Sequence, residues 1–326
     1  MKSVGLKTIA YELNVSVNTV SRALRDCDDI SNETKLKVRK KAYELGYMPN
    51  NVSQFIKRDS NNLISVVVNS FHNLYFTVVC EKLISLFKEK NYDFNLVYTS
   101  DSFLTTNVLK QCISQRTDAI ITMLEPNDEA VDVAKLNNIP IVMVGRIVDN
   151  DYVDEVYTDD NLGGKLAANY LVNFHKCNKL LYIKNSEMEC CQRRQESFIK
   201  TIHELLGNKS DVKVLSVNEL ENNLVNLVHQ GYLGVFCFND ETVYECIRIL
   251  NIDIPNIRTV NPKLHFIGYD GLSTQINGLI DVTSIHFDYD AICNKVFEII
   301  KNKINNKNIP KQSIEFSVKL HQRKYF

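Results

Sequence analysis

"LNVSVNTVSRALR", Leu13–Arg25, decides how the N-terminal part of the chain is read. It is about half apolar and carries two serines, a threonine, two asparagines and two arginines. Immediately upstream, Leu6, Ile9, Ala10 and Leu13 share the spacing of one helical face. "NVS" then breaks the pattern. Asn14 sits just past the expected helix end, where a left-handed backbone is common and Asn is the best non-glycine residue. Ser16 is a good N-cap for a second helix with an inward face of Val17, Val20, Ala23 and Leu24. Helix, very short turn and helix make a helix-turn-helix. A third helix is expected from Ser31 through "ETKLKVRKKAYEL" to Gly46, with Leu36, Val38, Ala42 and Leu45 inward and Gly46 as its C-terminal cap.

Charge agrees with this division. Residues 1–60 hold eleven Lys/Arg against seven Asp/Glu, a balance of +4, while the remainder of this 326-residue chain is at −5. A basic head on an acidic body points to nucleic acid as the head's partner. The nine cysteines are odd in number, lack C-x-x-C spacing and sit partly inside apolar runs such as "VFCFN". They read as reduced, buried thiols of a cytoplasmic protein, with no disulfide framework and no metal site. Vicinal Cys190 and Cys191 read as structural. "MKSVGLKTIAYELN" has no apolar core of a signal peptide, and no run approaches the roughly 18 apolar residues of a membrane span.

The outward side of the second helix holds Asn18, Thr19, Ser21, Arg22 and Arg25. Asn and Arg make bidentate contacts to base edges, while Ser and Thr suit phosphates. An isolated amphipathic helix would be read as merely solvated. The preceding helix, the tight turn and the basic third helix favour a DNA reader. Val17, Asn18 and Arg22 are the expected base contacts, with Val17 able to touch a thymine methyl group. Ser16, Thr19, Ser21, Arg25, Ser31 and Thr34 are the expected phosphate contacts.

"IA", "VS", "TVSRAL", "IS-ET" and "V-KKA-ELGY-PN" fall at fixed spacing across residues 6–50. With them the chain resembles the headpiece of the lactose-repressor/galactose-repressor (LacI/GalR) family of bacterial transcription regulators. Asn14 stands where the family usually has Gly. The next segment, "PNNVSQFIKR" (Pro49–Arg58), allows a helix of about two turns, too short to be stable alone in water. The resemblance implies that it folds when two protomers meet on the operator and that an apolar wedge enters the minor groove. The hinge positions are then Asn50, Ser53 and Ile56, with Ile56 where Leu is usual and Ser53 where a small apolar residue is usual.

From residue 62 the pattern changes to strand-length apolar runs alternating with helical stretches: "LISVVV", 74–90, "DFNLVY", 103–115, "DAIITML", 127–137 and "IPIVMVG". This βα repeat implies a parallel sheet. After "EVYTDDNLGG" it restarts: helix 162–174, "KLLYIK", 191–206, "VKVLSV", 219–230, "LGVFCF", 240–250 and "LHFIGYD". Two open sheets mean two lobes. The resemblance implies three crossings between them, near 159–162, 285–289 and 317–321, as in periplasmic sugar-binding proteins. "DYDAICNKVFEIIKNKI" is then a helix returning to the first lobe, and "SIEFSVKLHQR" supplies the last strands.

Ligands of open α/β sheets bind beyond the carboxyl ends of strands. There the first lobe offers Phe71, His72, Asn73, Tyr75, Phe76, Ser100, Asp101, Glu125, Gly145 and Arg146. The second offers Asn239, Asp240 and Asp270, and Arg194 lies near the start of its helix. Polyols need planar hydrogen-bonding groups and aromatic faces, and these residue types supply both. Arg194 lies in "RQESF", resembling the family's R-x-x-G-F with Ser197 for Gly; Asn239 lies in "FND" and Asp270 in "GYD". "FHNLYF" resembles "SNPFF" with Leu74 for Pro. The resemblance makes Arg194, Asn239 and Asp270 effector contacts, beside Tyr75, Phe76, Asp101 and Arg146. Asn239 and Asp160 also sit at helix starts, as caps do. His72 reads as a rim residue without a catalytic partner.

The expected architecture is therefore α/β. Residues 1–48 form the helix-turn-helix domain and 49–61 the hinge. Residues 62–326 form a two-lobed, periplasmic-binding-protein-like sensor with parallel sheets. Lobe 1 spans about 62–160 and 288–317, and lobe 2 about 161–287 and 318–326. The expected function is a cytoplasmic, homodimeric, non-enzymatic transcription regulator. It is a repressor of carbohydrate-utilisation genes, released from a pseudo-palindromic operator by a sugar or sugar phosphate bound between the lobes, with no cofactor. The chain ends at Phe326 without the leucine-heptad tail of tetrameric relatives, hence the expectation of a dimer. A regulator dependent on a co-repressor or a phosphocarrier protein is the alternative. An extracytoplasmic solute-binding protein is more distant, since it has no use for residues 1–58. A sugar-modifying enzyme would need a phosphate loop or an acid/base pair.

Overall fold

The computed structural model describes residues 5–24, 26–45, 47, 61–185, 188–253 and 264–323. The chain divides into two compact units, Met1–Asn61 and Asn62–Phe326.

The first unit holds α1 (Leu6–Leu13), α2 (Val17–Leu24) and α3 (Asn32–Glu44). Ile9, Ala10, Val20, Ala23, Val38 and Ala42 are its buried core, with Leu6, Leu13, Leu24, Ile30 and Leu45 packed around them. The small side chains of Ala10, Ala23 and Ala42 let three short helices meet closely. Asn14 adopts the left-handed conformation, φ 51° and ψ 46°, which turns the chain in place of the usual glycine. Ser16 Oγ accepts from the Thr19 N–H at 2.9 Å, and Ser31 Oγ accepts from the Thr34 N–H at 3.3 Å. Both capping expectations hold. Two inward assignments do not: Leu36 is 67% exposed and Val17 40%. At about 100° per residue, Leu36 lies some 200° from Val38 and cannot share its face. Val17 shares the face of Val20 but, as the first residue of α2, lies at the rim of the core and stays exposed, which suits its other expected role as a base contact. Gly46, Arg25 and the hinge positions Asn50, Ser53 and Ile56 lie outside the described residues.

The second unit has two six-stranded sheets. The first contains β1 (Leu63–Val68), β2 (Asp93–Tyr98), β3 (Ala119–Thr122), β4 (Ile141–Val144), β5 (Asp154–Thr158) and β11 (Ser313–Phe316), in the order β11-β5-β4-β3-β1-β2 and parallel throughout. The second contains β6 (Lys179–Lys184), β7 (Asp211–Ser216), β8 (Gly234–Cys237), β9 (His265–Tyr269), β10 (Ser284–His286) and β12 (Lys319–His321), in the order β12-β10-β9-β8-β6-β7. Only β12 runs antiparallel to its neighbour. Helices cover both faces: α4 (Leu74–Glu89), α5 (Thr106–Ser114), α6 (Asp128–Leu136), α7 (Asp160–Asn169), α8 (Glu189–Leu206), α9 (Leu220–His229), α10 (Asp240–Asp253) and α11 (Tyr289–Asn305). A π-helical turn, Tyr170–Phe174, extends α7. α11 packs on α4 and β5.

Sequence reading missed β5 and β10. β5 begins with Asp154 and Glu155, both buried. Lys303 on α11 lies 3.1 Å from Asp154, and Lys311 lies 3.2 Å from Glu155. Two buried acids in one strand are tolerable only with such partners, and both lysines are remote in sequence. β10 is three residues long and gives no periodic signal.

Candidate nucleic-acid interface and effector cleft

On the head, Val17 and Asn18 are exposed and Arg22 is half-exposed along one side of α2. Four of the six expected phosphate contacts fall in two matching pairs. Ser16 and Thr19 hydroxyls bond at 2.8 Å at the start of α2, and Ser31 and Thr34 at 2.9 Å at the start of α3. Helix N-termini favour phosphate through their free N–H groups and dipole. Arg22 forms a two-point ion pair with Asp29, which sequence reading did not anticipate. Asp26 in the same loop pairs with Lys35 and Arg39.

Between the lobes lies a cavity of about 60 Å³ whose walls include Tyr75, Phe76, Arg146, Arg194, Asn239 and Asp270. It has room for about four waters. Six of the seven expected effector contacts therefore converge. The seventh, Asp101, lies outside this wall; its Oδ2 accepts from the Thr105 hydroxyl at 3.0 Å, just before α5. A wider opening of about 830 Å³ adjoins it, lined by His72, Glu125, Arg146, Glu189, Glu241 and Glu245 among others.

Each polar group in the cavity has an identifiable support. Gly164 allows α7 to touch α8: a Cβ there would meet the Arg194 carbonyl oxygen at 2.5 Å and the Phe198 nitrogen at 2.9 Å. This approach sets Asp160 against Arg194, with Oδ1 accepting from Nε at 2.7 Å, both residues being buried. Arg194 Nη1 donates to the Phe238 carbonyl at 2.8 Å, and its guanidinium stacks 3.4 Å from the Tyr269 ring centroid. Asp160 thus acts as an ion-pair partner. The cap of α7 is the preceding residue, Asp159, whose Oδ1 accepts from the Leu162 N–H. Asn239 does cap α10: its Oδ1 accepts from the Thr242 N–H and hydroxyl. Arg146 donates to the Met123 carbonyl at 2.6 Å rather than to Glu125 or Asp149.

Asp270 stands apart. Its backbone is at φ 99°, a strained conformation for a non-glycine residue. The Ile285 carbonyl holds its N–H and the Tyr289 hydroxyl donates to its carbonyl. Burial, together with Glu241 and Asp160, pushes its carboxyl up to about 7 against the opposing pull of Arg194. Gly145 is also at positive φ, 90°, and a Cβ there would meet the Tyr75 hydroxyl at 2.9 Å. The Tyr75 ring packs on Phe76, Phe287 and Tyr289. Phe238, Phe287 and Thr158 line the same cavity and were not picked out from sequence. Phe238 directly precedes the "ND" pair, and that adjacency was the available signal.

Among the described residues, contacts between the lobes around the cavity include three besides the Tyr289–Asp270 bond. The Leu74 N–H donates to Glu241 Oε1 at 3.2 Å. The Tyr269 hydroxyl donates to Thr158 Oγ1 at 3.0 Å, and Arg193 donates to Glu315 at 3.1 Å. The first of these is open to Leu74 but not to the Pro usual in the resembling motif, which has no N–H. Burial raises the Glu241 carboxyl above its ordinary range, and the Leu74 N–H partly opposes this.

Residues 5–50 match the family described as "Bacterial regulatory proteins, lacI family". The chain thus carries the helix-turn-helix domain of that family at its N-terminus. It is a DNA-binding transcription regulator. The HTH-type transcriptional repressor PurR of Vibrio campbellii is 24% identical over 324 residues, covering 95% of each chain. Among solved structures, the lac repressor dimer bound to operator and the anti-inducer ONPF superposes with a TM-score of 0.76 at 17% identity, covering 99% of each chain. The transcriptional regulator CelR–cellobiose complex gives 0.68 at 18%, covering 98% of this chain and 99% of that one. The PurR relative and the lac repressor are repressors, not enzymes. Among the described residues of the regulator, no helix is long and apolar enough to cross a membrane.

Proposed function

We propose that this regulator is a cytoplasmic homodimeric repressor of carbohydrate-utilisation genes, released from its operator by a neutral sugar bound between the lobes. The observation that carries the effector reading is the convergence of Arg194, Asn239 and Asp270 with the Tyr75 and Phe76 rings on one cavity. That donor, acceptor and aromatic set matches a polyol with one apolar face. Charge disfavours the phosphorylated alternative. Inside, Arg194 is already matched by Asp160, and the opening carries Glu125, Glu189, Glu241 and Glu245 against Arg146. The CelR complex, similar in fold, is described with cellobiose, itself a neutral sugar.

On the DNA side, two copies would place two α2 helices in successive major grooves of a pseudo-palindrome. Val17, Asn18 and Arg22 read bases, and the Ser16/Thr19 and Ser31/Thr34 pairs sit on phosphates. A dimer is supported by the edge strand β2, which exposes Leu96 and Tyr98, with Phe71 stacked on Tyr98 at 5.7 Å. Such an apolar edge invites a partner.

A sugar is larger than the cavity, so binding first separates the lobes. A ligand that favours one lobe arrangement shifts the DNA-bound population by its differential affinity alone. A gel-shift titration of the cognate promoter with neutral sugars and their phosphates tests this. Release by a neutral sugar supports it. Tighter DNA binding instead would make the ligand a co-repressor, and indifference to every sugar and phosphocarrier would sink the sensor reading.

A further inference from the structure

Asp29 lies in the loop between α2 and α3, on the side of the head that carries Arg22. Its two carboxylate oxygens take one edge of the Arg22 guanidinium: Nε donates to Oδ1 at 3.2 Å and Nη2 lies 2.7 Å from Oδ2. A guanidinium is a planar fork with five N–H groups. Asp29 fills the edge formed by Nε and Nη2. Planarity then turns the terminal edge, formed by Nη1 and the second N–H of Nη2, away from the carboxylate. That terminal edge carries the two parallel donors that match guanine O6 and N7.

We propose that Asp29 is a positioning residue for operator reading, holding Arg22 by its side edge so that its terminal edge is presented to a guanine. The inference rests on the reading of Arg22 as a base contact. Two physical points favour it. Both side chains are substantially exposed, 41% and 52%, and an exposed ion pair adds little to fold stability. Yet a carboxylate on a DNA-facing surface repels phosphate and weakens binding to every sequence. Asp29 therefore works against affinity, and its gain lies in discrimination. An unbraced arginine samples many rotamers and reaches phosphates as readily as bases; a braced one is fixed in orientation before contact. Asp26 differs from it, since Lys35 and Arg39 tie that residue to α3.

The opposite role is equally specific. If Asp29 were a competitor that had to release Arg22, its removal would sharpen reading. Fluorescence anisotropy on the full-length protein separates the two, using operator duplexes that carry guanine or adenine at the position relaxed by Arg22→Ala. Asp29→Ala should reduce the guanine-over-adenine preference about tenfold, within the range set by one bidentate contact. It should also raise affinity for unrelated DNA and steepen the salt dependence. Asp29→Glu keeps the charge but displaces the carboxylate, so it should lower the preference without raising non-specific affinity. In an Arg22→Ala background, Asp29→Ala should leave the preference unchanged. An unchanged or larger preference in Asp29→Ala and Asp29→Glu overturns the proposal, as does an equal loss in the Arg22→Ala background. If Arg22→Ala relaxes no position, the base-contact reading falls, and this proposal with it.

Discussion

Asp270→Asn isolates the cost of a buried acid in the effector cleft. The carboxyl sits at about 7 in the folded protein, against an ordinary 3.8, with burial as the main cause. Below about pH 4 it is protonated in both folded and unfolded chains and contributes nothing. Between about pH 4 and 7 the unfolded chain loses the proton while the folded chain keeps it, so stability falls as pH rises. Above about pH 7 the full penalty is present. At 1.36 kcal/mol per pH unit, a rise of about three units costs roughly 4 kcal/mol. Asn removes the charge and tolerates positive φ better than Ala, so the comparison adds little backbone strain at φ 99°. Urea unfolding of both proteins from pH 4.5 to 8.5 gives the difference directly. Glu241 and Asp154 also have raised carboxyls, but they titrate in both proteins and largely cancel; Asp240 is raised partly by Asp270 itself, so its relief in the variant adds in the same direction. The variant should exceed wild type by only about 1 kcal/mol near pH 4.5 and by up to about 4 kcal/mol at pH 8. A difference independent of pH, or a variant less stable at pH 8, would refute the reasoning.

Further outcomes follow from the same geometry. Leu74→Pro keeps a residue suited to the first turn of α4 but deletes the N–H bonded to Glu241. It should loosen lobe closure by about 1–2 kcal/mol, and small-angle scattering that shows no expansion would count against the latch. Asp160→Asn leaves the buried Arg194 charge unmatched and should cost about 3–5 kcal/mol in urea unfolding; Asp160→Asn with Arg194→Met should cost clearly less than the sum of the single changes, and strict additivity would contradict the pairing. Gly164→Ala drives a methyl into the α8 backbone and should cost about 3 kcal/mol or more, since backbone yields less than a side chain; a loss under about 1 kcal/mol would mean that α7 and α8 part easily.

The head was legible because its signals are local. The Asn14 turn and the Ser16 and Ser31 caps depend on residues within four positions. Leu36 was misread because an apolar residue two places from Val38 looks continuous with it, though helical geometry sets it nearly opposite. In the second unit, long βα repeats gave the order of elements, but β5 was hidden by Asp154 and Glu155. Their burial makes sense only beside Lys303 and Lys311, about 150 residues later. The cleft was legible as a set of residues at strand ends and opaque as a network. Adjacent Asp159 and Asp160 take different jobs, capping and ion pairing, and one-residue choices of that kind are settled by the α7–α8 contact. The Arg22–Asp29 pair spans a loop whose path no periodicity specifies.

The network also says where an effector gains its coupling energy. Arg194 has Nε on Asp160 and Nη1 on Phe238, and Asn239 Oδ1 already holds the start of α10. A ligand that took either group outright would cost the lobe an internal bond. The Asn239 side-chain N–H to Glu241, at 3.2 Å, and the Leu74 N–H to Glu241 both end on a half-buried carboxylate at the cleft opening and are exchangeable. Asp270 differs from all of these, because its buried carboxyl is disfavoured as an anion. A ligand hydroxyl donating to it would favour the charged form and oppose the burial penalty. Binding should then release a proton near neutral pH, and affinity should rise as pH increases through about 7. Isothermal calorimetry in buffers of different ionisation enthalpy measures that proton. Without it, or with affinity falling as pH rises, Asp270 is no acceptor for the ligand, and the preference for one lobe arrangement must arise at Glu241 instead.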